Sequence, residues 1–224
     1  AATYMRVGTI TAVNGNQATL SGTATATVTG TAYFEFATND RQAIQNAIDA
    51  VNTEDRETGP WKNRMHGVVI MPAGRAMVDG PIKIRTCVSL IGQTMYTTRL
   101  IWASTFHMAQ TGYEALLWGL DSNGSTRCYY DNVFRDFCID MYAATVASYS
   151  YHAKCCEALW MVRPCFVNLL LLGSPATSLG IDYIIGGLFA DNYFIDSGRL
   201  WQSTGGGGSA MDFQTNSPFD PTIG

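Results

Sequence analysis

Residues 39–51, NDRQAIQNAIDAV, and 67–92, GVVIMPAGRAMVDGPIKIRTCVSLIG, decide how this chain folds. In the first stretch Ile44, Ala47, Ile48 and Val51 recur at helical spacing and form one apolar face. Asn39 is placed to cap that helix, with Gln42 at the third helical position as in a capping box. The second stretch reads as short strands: 68–71, 76–78, 82–84 and 88–91. Pro72-Ala73-Gly74, Asp79-Gly80-Pro81 and Gly92 punctuate them. Strands this short, each followed by a turn, do not build a wide flat sheet. They suit a chain that winds about an axis and lays each strand beside the strand of the previous circuit.

This stretch resembles the start of the pectate-lyase-like right-handed parallel β-helix family. The resemblance rests on Ala43-Ile44-Gln45, Ala47-Ile48-Asp49, Pro72-Ala73-Gly74, Gly80-Pro81 and the run from Val88 to Gly92, in that order. It covers about fifty residues directly, at a period typical of solenoid coils for the remainder. It implies an all-β chain: a right-handed parallel β-helix whose open N-terminal end is capped by the α-helix, where bare strand edges would otherwise lie uncovered. The same fold carries polysaccharide lyases and hydrolases, and the tail spikes and tail fibres of bacteriophages. Fold alone does not choose among them.

The rest of the chain agrees with a turn-rich β protein. Of 224 residues only 14% are charged and 22 are Gly, against a usual charged fraction of about a quarter. The formal charge is −4 and no basic cluster appears, which argues against nucleic acid. No apolar run is long enough to cross a bilayer, and residues 1–7 show no signal-peptide pattern. The six cysteines, two of them adjacent as Cys155-Cys156, fit neither a zinc spacing nor a disulfide framework. They read as free, buried thiols, which points to assembly in a reducing host cytoplasm; secretion is the alternative.

Residues 1–37 form a separate Thr- and Val-rich unit, read as an attachment or oligomerisation element or as an extension of the sheets. Asn14-Gly15 between two such runs signals a hairpin. Residues 38–224 form the capped β-helix, with a polar insertion at 52–66 that contains Trp61. Three segments recur: VFRDFCI at 133–139, CFVNLLLL at 165–172 and LFADNYFI at 188–195. Aligning Asp136, Asn168 and Asp191 gives spacings of 32 and 23. The unequal intervals put a longer loop at 141–153. Asn168 and Asn192 read as corner residues bonding neighbouring backbone. LGIDYII at 179–185 and SAMDF at 209–213 look like equivalent strands of successive coils. The count is about four to six coils, a short β-helix or part of a longer one.

Chemistry is sparse. Glycoside hydrolysis needs two facing carboxylates, and neighbouring coils place equivalent residues side by side. Asp182 and Asp212 are the first candidate pair, Asp140 and Asp196 the second. Trp160, Tyr183, Tyr193 and Trp201 are candidate sugar-stacking surfaces, each also readable as a packing residue. The Asn-x-Asp, Asp-Asp and Gly-His-Gly signatures of the family's hydrolases are missing, and Arg163 and Arg199 lack the acidic cluster of its lyases. The histidines show no metal spacing, so neither metal nor cofactor is expected. The resemblance therefore implies a bacteriophage tail-spike- or tail-fibre-like virion protein. It would be a homotrimer with outward apolar residues at its interface, joined to other tail proteins and bound to host surface polysaccharide. The rivals are a polysaccharide lyase or hydrolase and a purely structural attachment module.

Overall fold

A computed structural model describes residues 10–15, 17–20, 39–51, 67–102, 114–118, 129–142, 153–159, 161–175, 177–182, 184–198 and 211–214. The expected hairpin is present: β1 (Ile10–Asn14) and β2 (Gln17–Leu20) pair antiparallel around Gly15, whose φ is +58°. The rest of the N-terminal unit, residues 1–9 and 21–38, and the insertion at 52–66 lie outside the described residues.

The remaining β structure is parallel and lies almost wholly in three five-stranded sheets. The first holds β3 (Gly67–Ile70), β6 (Val88–Ile91), β10 (Val133–Arg135), β14 (Cys165–Val167) and β17 (Leu188–Ala190). The second holds β4 (Gly74–Val78), β7 (Thr98–Trp102), β11 (Cys138–Asp140), β15 (Leu170–Leu172) and β18 (Tyr193–Ile195). The third holds β5 (Ile82–Lys83), β8 (Glu114–Trp118), β12 (Ala153–Leu159), β16 (Thr177–Asp182) and β19 (Met211–Gln214). A small pair joins β9 (Tyr129–Tyr130) to β13 (Met161–Val162). The chain visits the three sheets in rotation and adds one strand to each per circuit. The register aligns Val133, Cys165 and Leu188, so the recurring segments stack with the spacings read from the sequence. Most of the difference between the intervals falls where expected: twelve residues separate β11 from β12, and four separate β15 from β16.

Stacking makes the core. Val69, Leu90, Phe134, Phe166 and Phe189 share one register row, with ring centroids 4.9 Å apart from Phe134 to Phe166 and 5.3 Å from Phe166 to Phe189. Ala76, Leu100, Ile139, Leu171 and Phe194 form the inner row of the second sheet. Ile82, Cys156, Leu179 and Met211 line the third. No single circuit encloses an interior, so each borrows its neighbours' side chains.

Each segment read as one strand is two, broken at a left-handed corner. Asp136, Asn168 and Asp191 take φ of 62°, 54° and 53°. This conformation costs about 1–2 kcal/mol in most residues and suits Asp and Asn best. Asn168 Nδ2 donates to Asp136 Oδ1 at 2.6 Å. Asn192 bonds backbone as expected: Oδ1 accepts from Leu169 N–H and Nδ2 donates to the Phe166 carbonyl. A second left-handed ladder runs through Cys87, Asp131, Arg163 and Gly186.

The helix α1 (Arg41–Val51) packs on β3, β4 and β5, the end strands of the three sheets, and buries Ile48. Its contacts with two of those edges are hydrogen-bonded. Asp40 N–H donates to the Met77 carbonyl; Gln45 Oε1 accepts from Lys83 N–H at 2.8 Å while its Nε2 donates to the Lys83 carbonyl. Asn39 Oδ1 accepts from Arg41 N–H, as a capping residue should. Gln42 does not close the capping box, because its amide donates to Asn46 Oδ1 instead.

Candidate functional site

In a parallel sheet, in-register residues on neighbouring strands face the same way. Outside the inner row, the second sheet therefore carries two outward rows. One runs Arg75, Arg99, Cys138, Leu170, Tyr193; the other runs Met77, Ile101, Asp140, Leu172, Ile195. Three candidate residues meet on this side: Asp140 and Tyr193 in the rows, and Asp196 at the corner after β18. Tyr193 is 52% exposed and Ile195 is 46% exposed beside it.

The two carboxylates are joined by a residue that sequence reasoning missed. Tyr142 N–H donates to Asp140 Oδ1 at 3.0 Å, and the Tyr142 hydroxyl donates to Asp196 Oδ2. Asp140 also holds Arg99, with Nη2 and Oδ2 3.0 Å apart. The register Asp140, Leu172, Ile195 sets the two aspartates two strand spacings apart, about 10 Å at roughly 4.8 Å each. Gly173 lies midway, left-handed at φ +61°, and a Cβ there would stand 2.7 Å from the Tyr142 ring. The phenol thus fills the gap in which a hydrolase places its sugar and water. Both carboxylates accept from the protein itself, the pattern of a clamp between circuits. The only local signal was the Asp-x-Tyr spacing after β11.

Asp182 and Asp212 fall on adjacent strands, β16 and β19, but out of step. Asp212 pairs with Gly180, and Asp182 pairs with Gln214. They stand two register positions apart, not side by side as the alignment of the two segments predicts. Trp160, Tyr183 and Trp201 lie outside the described residues. Arg163, raised above its ordinary range by hydrogen bonds and charge attraction from Asp131, forms a bidentate pair with it at 2.7 and 2.8 Å. That pair borders an open depression on the first sheet with Ser89, Val133 and Cys165.

Beside β16 lies a charged pair with 1% exposure at each side chain: Lys154 Nζ is 2.6 Å from Glu157 Oε1. Its ammonium rests on Gly180, where a Cβ would meet Nζ at 2.6 Å. Neither residue stood out in the sequence.

Among the described residues the five cysteines are free thiols, four of them buried. Burial pushes Cys138 up to about 11 and Cys156 higher still; Cys155 rises from burial and the neighbouring Cys156. Such thiols stay protonated and inert. No group of acidic, His and Cys residues among the described residues is arranged to hold a metal ion. No described helix is long and apolar enough to cross a membrane. Comparison with known proteins adds no assignment: no family model, no curated protein and no solved structure matches this chain.

Proposed function

We propose that the three sheets wind as a right-handed parallel β-helix capped by α1, and that the protein is a bacteriophage tail-spike- or tail-fibre-like virion component that attaches to host surface polysaccharide. In this reading residues 38–224 are the β-helix and residues 1–37, with the β1–β2 hairpin, are the attachment or oligomerisation element. The observation that carries it is the outward face of the second sheet, where Tyr193, Arg75 and Arg99 share one row on a rigid stack. An exposed flat ring on such a sheet face is a surface on which a sugar can stack. The free, buried thiols agree with assembly in a reducing compartment. A homotrimer follows from the same reading. The outward side of the first sheet exposes Val68, Ile70 and Leu188, and is the interface it would use.

The rival is a polysaccharide lyase or hydrolase acting through Asp140 and Asp196, which share one side of the second sheet, although Tyr142 bonds both and occupies the space between them. One experiment separates them: light scattering on the native particle, with binding and cleavage assays against a polysaccharide panel. The attachment reading expects a particle near three times 24.4 kDa that binds without cleaving. A monomer that cuts a polysaccharide, and loses the activity on Asp140→Asn or Asp196→Asn, makes it an enzyme. A trimer that binds no glycan makes it a structural module.

A further inference from the structure

We infer that Tyr96 of one copy seats in the depression beside Asp131 and Arg163 of the next, as the contact that closes a ring of three. This rests on the homotrimer reading and names the residues through which the copies would meet.

A ring of three cannot be built from a patch that meets itself. Each copy must offer two different patches, one received by the other. The first sheet carries two such patches on its opposite long edges. Tyr96 stands on the turn that leaves the sheet, between β6 and β7, and is 71% exposed. Its turn is fixed by hydrogen bonds. The N–H groups of Tyr96 and Thr97 donate to Thr94 Oγ1 at 3.2 and 3.1 Å, and Gly74 N–H on the neighbouring circuit donates to the Thr97 carbonyl at 2.8 Å. An exposed aromatic on so ordered a turn loses little freedom on docking, and tyrosine is among the residues that dominate interfaces.

The second patch lies where the chain enters the sheet. The outward row Val68, Ser89, Val133, Cys165 and Leu188 has exposed apolar ends and smaller, less exposed residues between them. Ser89, Val133 and Cys165 floor the depression, and the Asp131–Arg163 pair is its polar wall. Arg163 keeps a left-handed φ of 54°, uncommon for arginine, and conformations of that kind gather at binding sites. Of the five guanidinium N–H groups and about four carboxylate lone pairs, the pair spends two of each on itself. A small floor with donors and acceptors along one side fits a ring with a hydroxyl at its tip, the shape of tyrosine. Val133 lies one strand beyond the level of β6, so knob and hole differ in height by about 5 Å along the stack, which a tyrosine side chain spans. With the first sheet facing the three-fold axis, the exit edge of each copy meets the entry edge of the next.

The test is sedimentation of the full chain over a dilution series, together with cross-linking. Tyr96→Ala and Arg163→Gln, both at exposed positions, should each raise the concentration at which the trimer dissociates by roughly tenfold. Tyr96→Phe, which keeps the ring, should lose less. Unchanged circular dichroism checks that the variants are folded. Cys165 is the one described cysteine that is not buried. Tyr96→Cys, treated with a short bismaleimide at a concentration where the variant is still a trimer, should therefore link position 96 of one copy to Cys165 of another. Peptide mass mapping identifies the link, and adding Cys165→Ser should abolish it. Full assembly by either Tyr96→Ala or Arg163→Gln, or no link between positions 96 and 165 of different copies, overturns the inference and leaves a trimer joined elsewhere. A parent chain that is not a trimer overturns both.

Discussion

The ring of Tyr142 lies on Gly173, so close that a Cβ at position 173 would stand 2.7 Å from its Cγ and Cδ1. Glycine at that left-handed corner lets one side chain cross a whole circuit and reach Asp196. Gly173→Ala meets both the ring and an unfavourable φ, and should cost about 2–4 kcal/mol. Tyr142→Phe keeps the ring and removes only the hydroxyl, for about 1 kcal/mol. Urea denaturation of the two variants tests the order; equal losses would mean that the ring does not rest on Gly173.

Lys154 and Glu157 make a second such dependence. Removing one partner leaves a charge buried at 1% exposure, and Lys154→Met alone should cost about 3–5 kcal/mol. Lys154→Met with Glu157→Met should recover most of it, because two well-packed apolar side chains leave no charge behind. A double-mutant cycle measures the coupling. Additive losses would show that the two groups do not depend on each other.

The phenylalanine row gives a graded prediction. Phe166 is fully buried between two rings, whereas Phe189 is partly exposed with a ring on one side. Phe166→Ala should cost about 3–5 kcal/mol, and Phe189→Ala clearly less. Chemical denaturation checks it, and a larger loss at Phe189 would contradict the stacking.

What the sequence disclosed was the part written in local pattern. The helix face of Ile44, Ala47 and Ile48, the Asn14-Gly15 turn, and the aligned Asp136, Asn168 and Asp191 all carry signals within a few residues. The register of β19 did not, for a physical reason. Side chains alternate with period two, so a slip of two residues keeps the same faces inside and leaves Asp182 and Asp212 equally plausible as neighbours. The Tyr142 clamp, Gly173 and the Lys154–Glu157 pair resting on Gly180 were also invisible. Each depends on a contact between circuits, and only the three-dimensional register brings the partners together. The pairing of Arg99 with Asp140 was likewise invisible.

Alkaline pH should loosen the core through its thiols. Burial raises Cys138 from its ordinary value near 9.0 to about 11. A thiol raised in the folded state is protonated in both states below pH 9, so its contribution is intact there. Above pH 9 the unfolded chain ionises first, and stability falls until the folded thiol also ionises near pH 11. The loss from Cys138 is about 3 kcal/mol across that window. Cys138→Ala should show a shallower fall between pH 8 and pH 10.5 than the parent chain. Identical slopes would show that the thiol is not held neutral by burial.

Attachment to glycan through Tyr193 is tested by calorimetric titration of the intact protein and of Tyr193→Ala with the tightest-binding polysaccharide of the panel, with the products analysed afterwards. The polymer should bind and stay uncut, and binding should weaken roughly tenfold without the ring. Binding indifferent to Tyr193, or a polymer shortened by the protein, would contradict it.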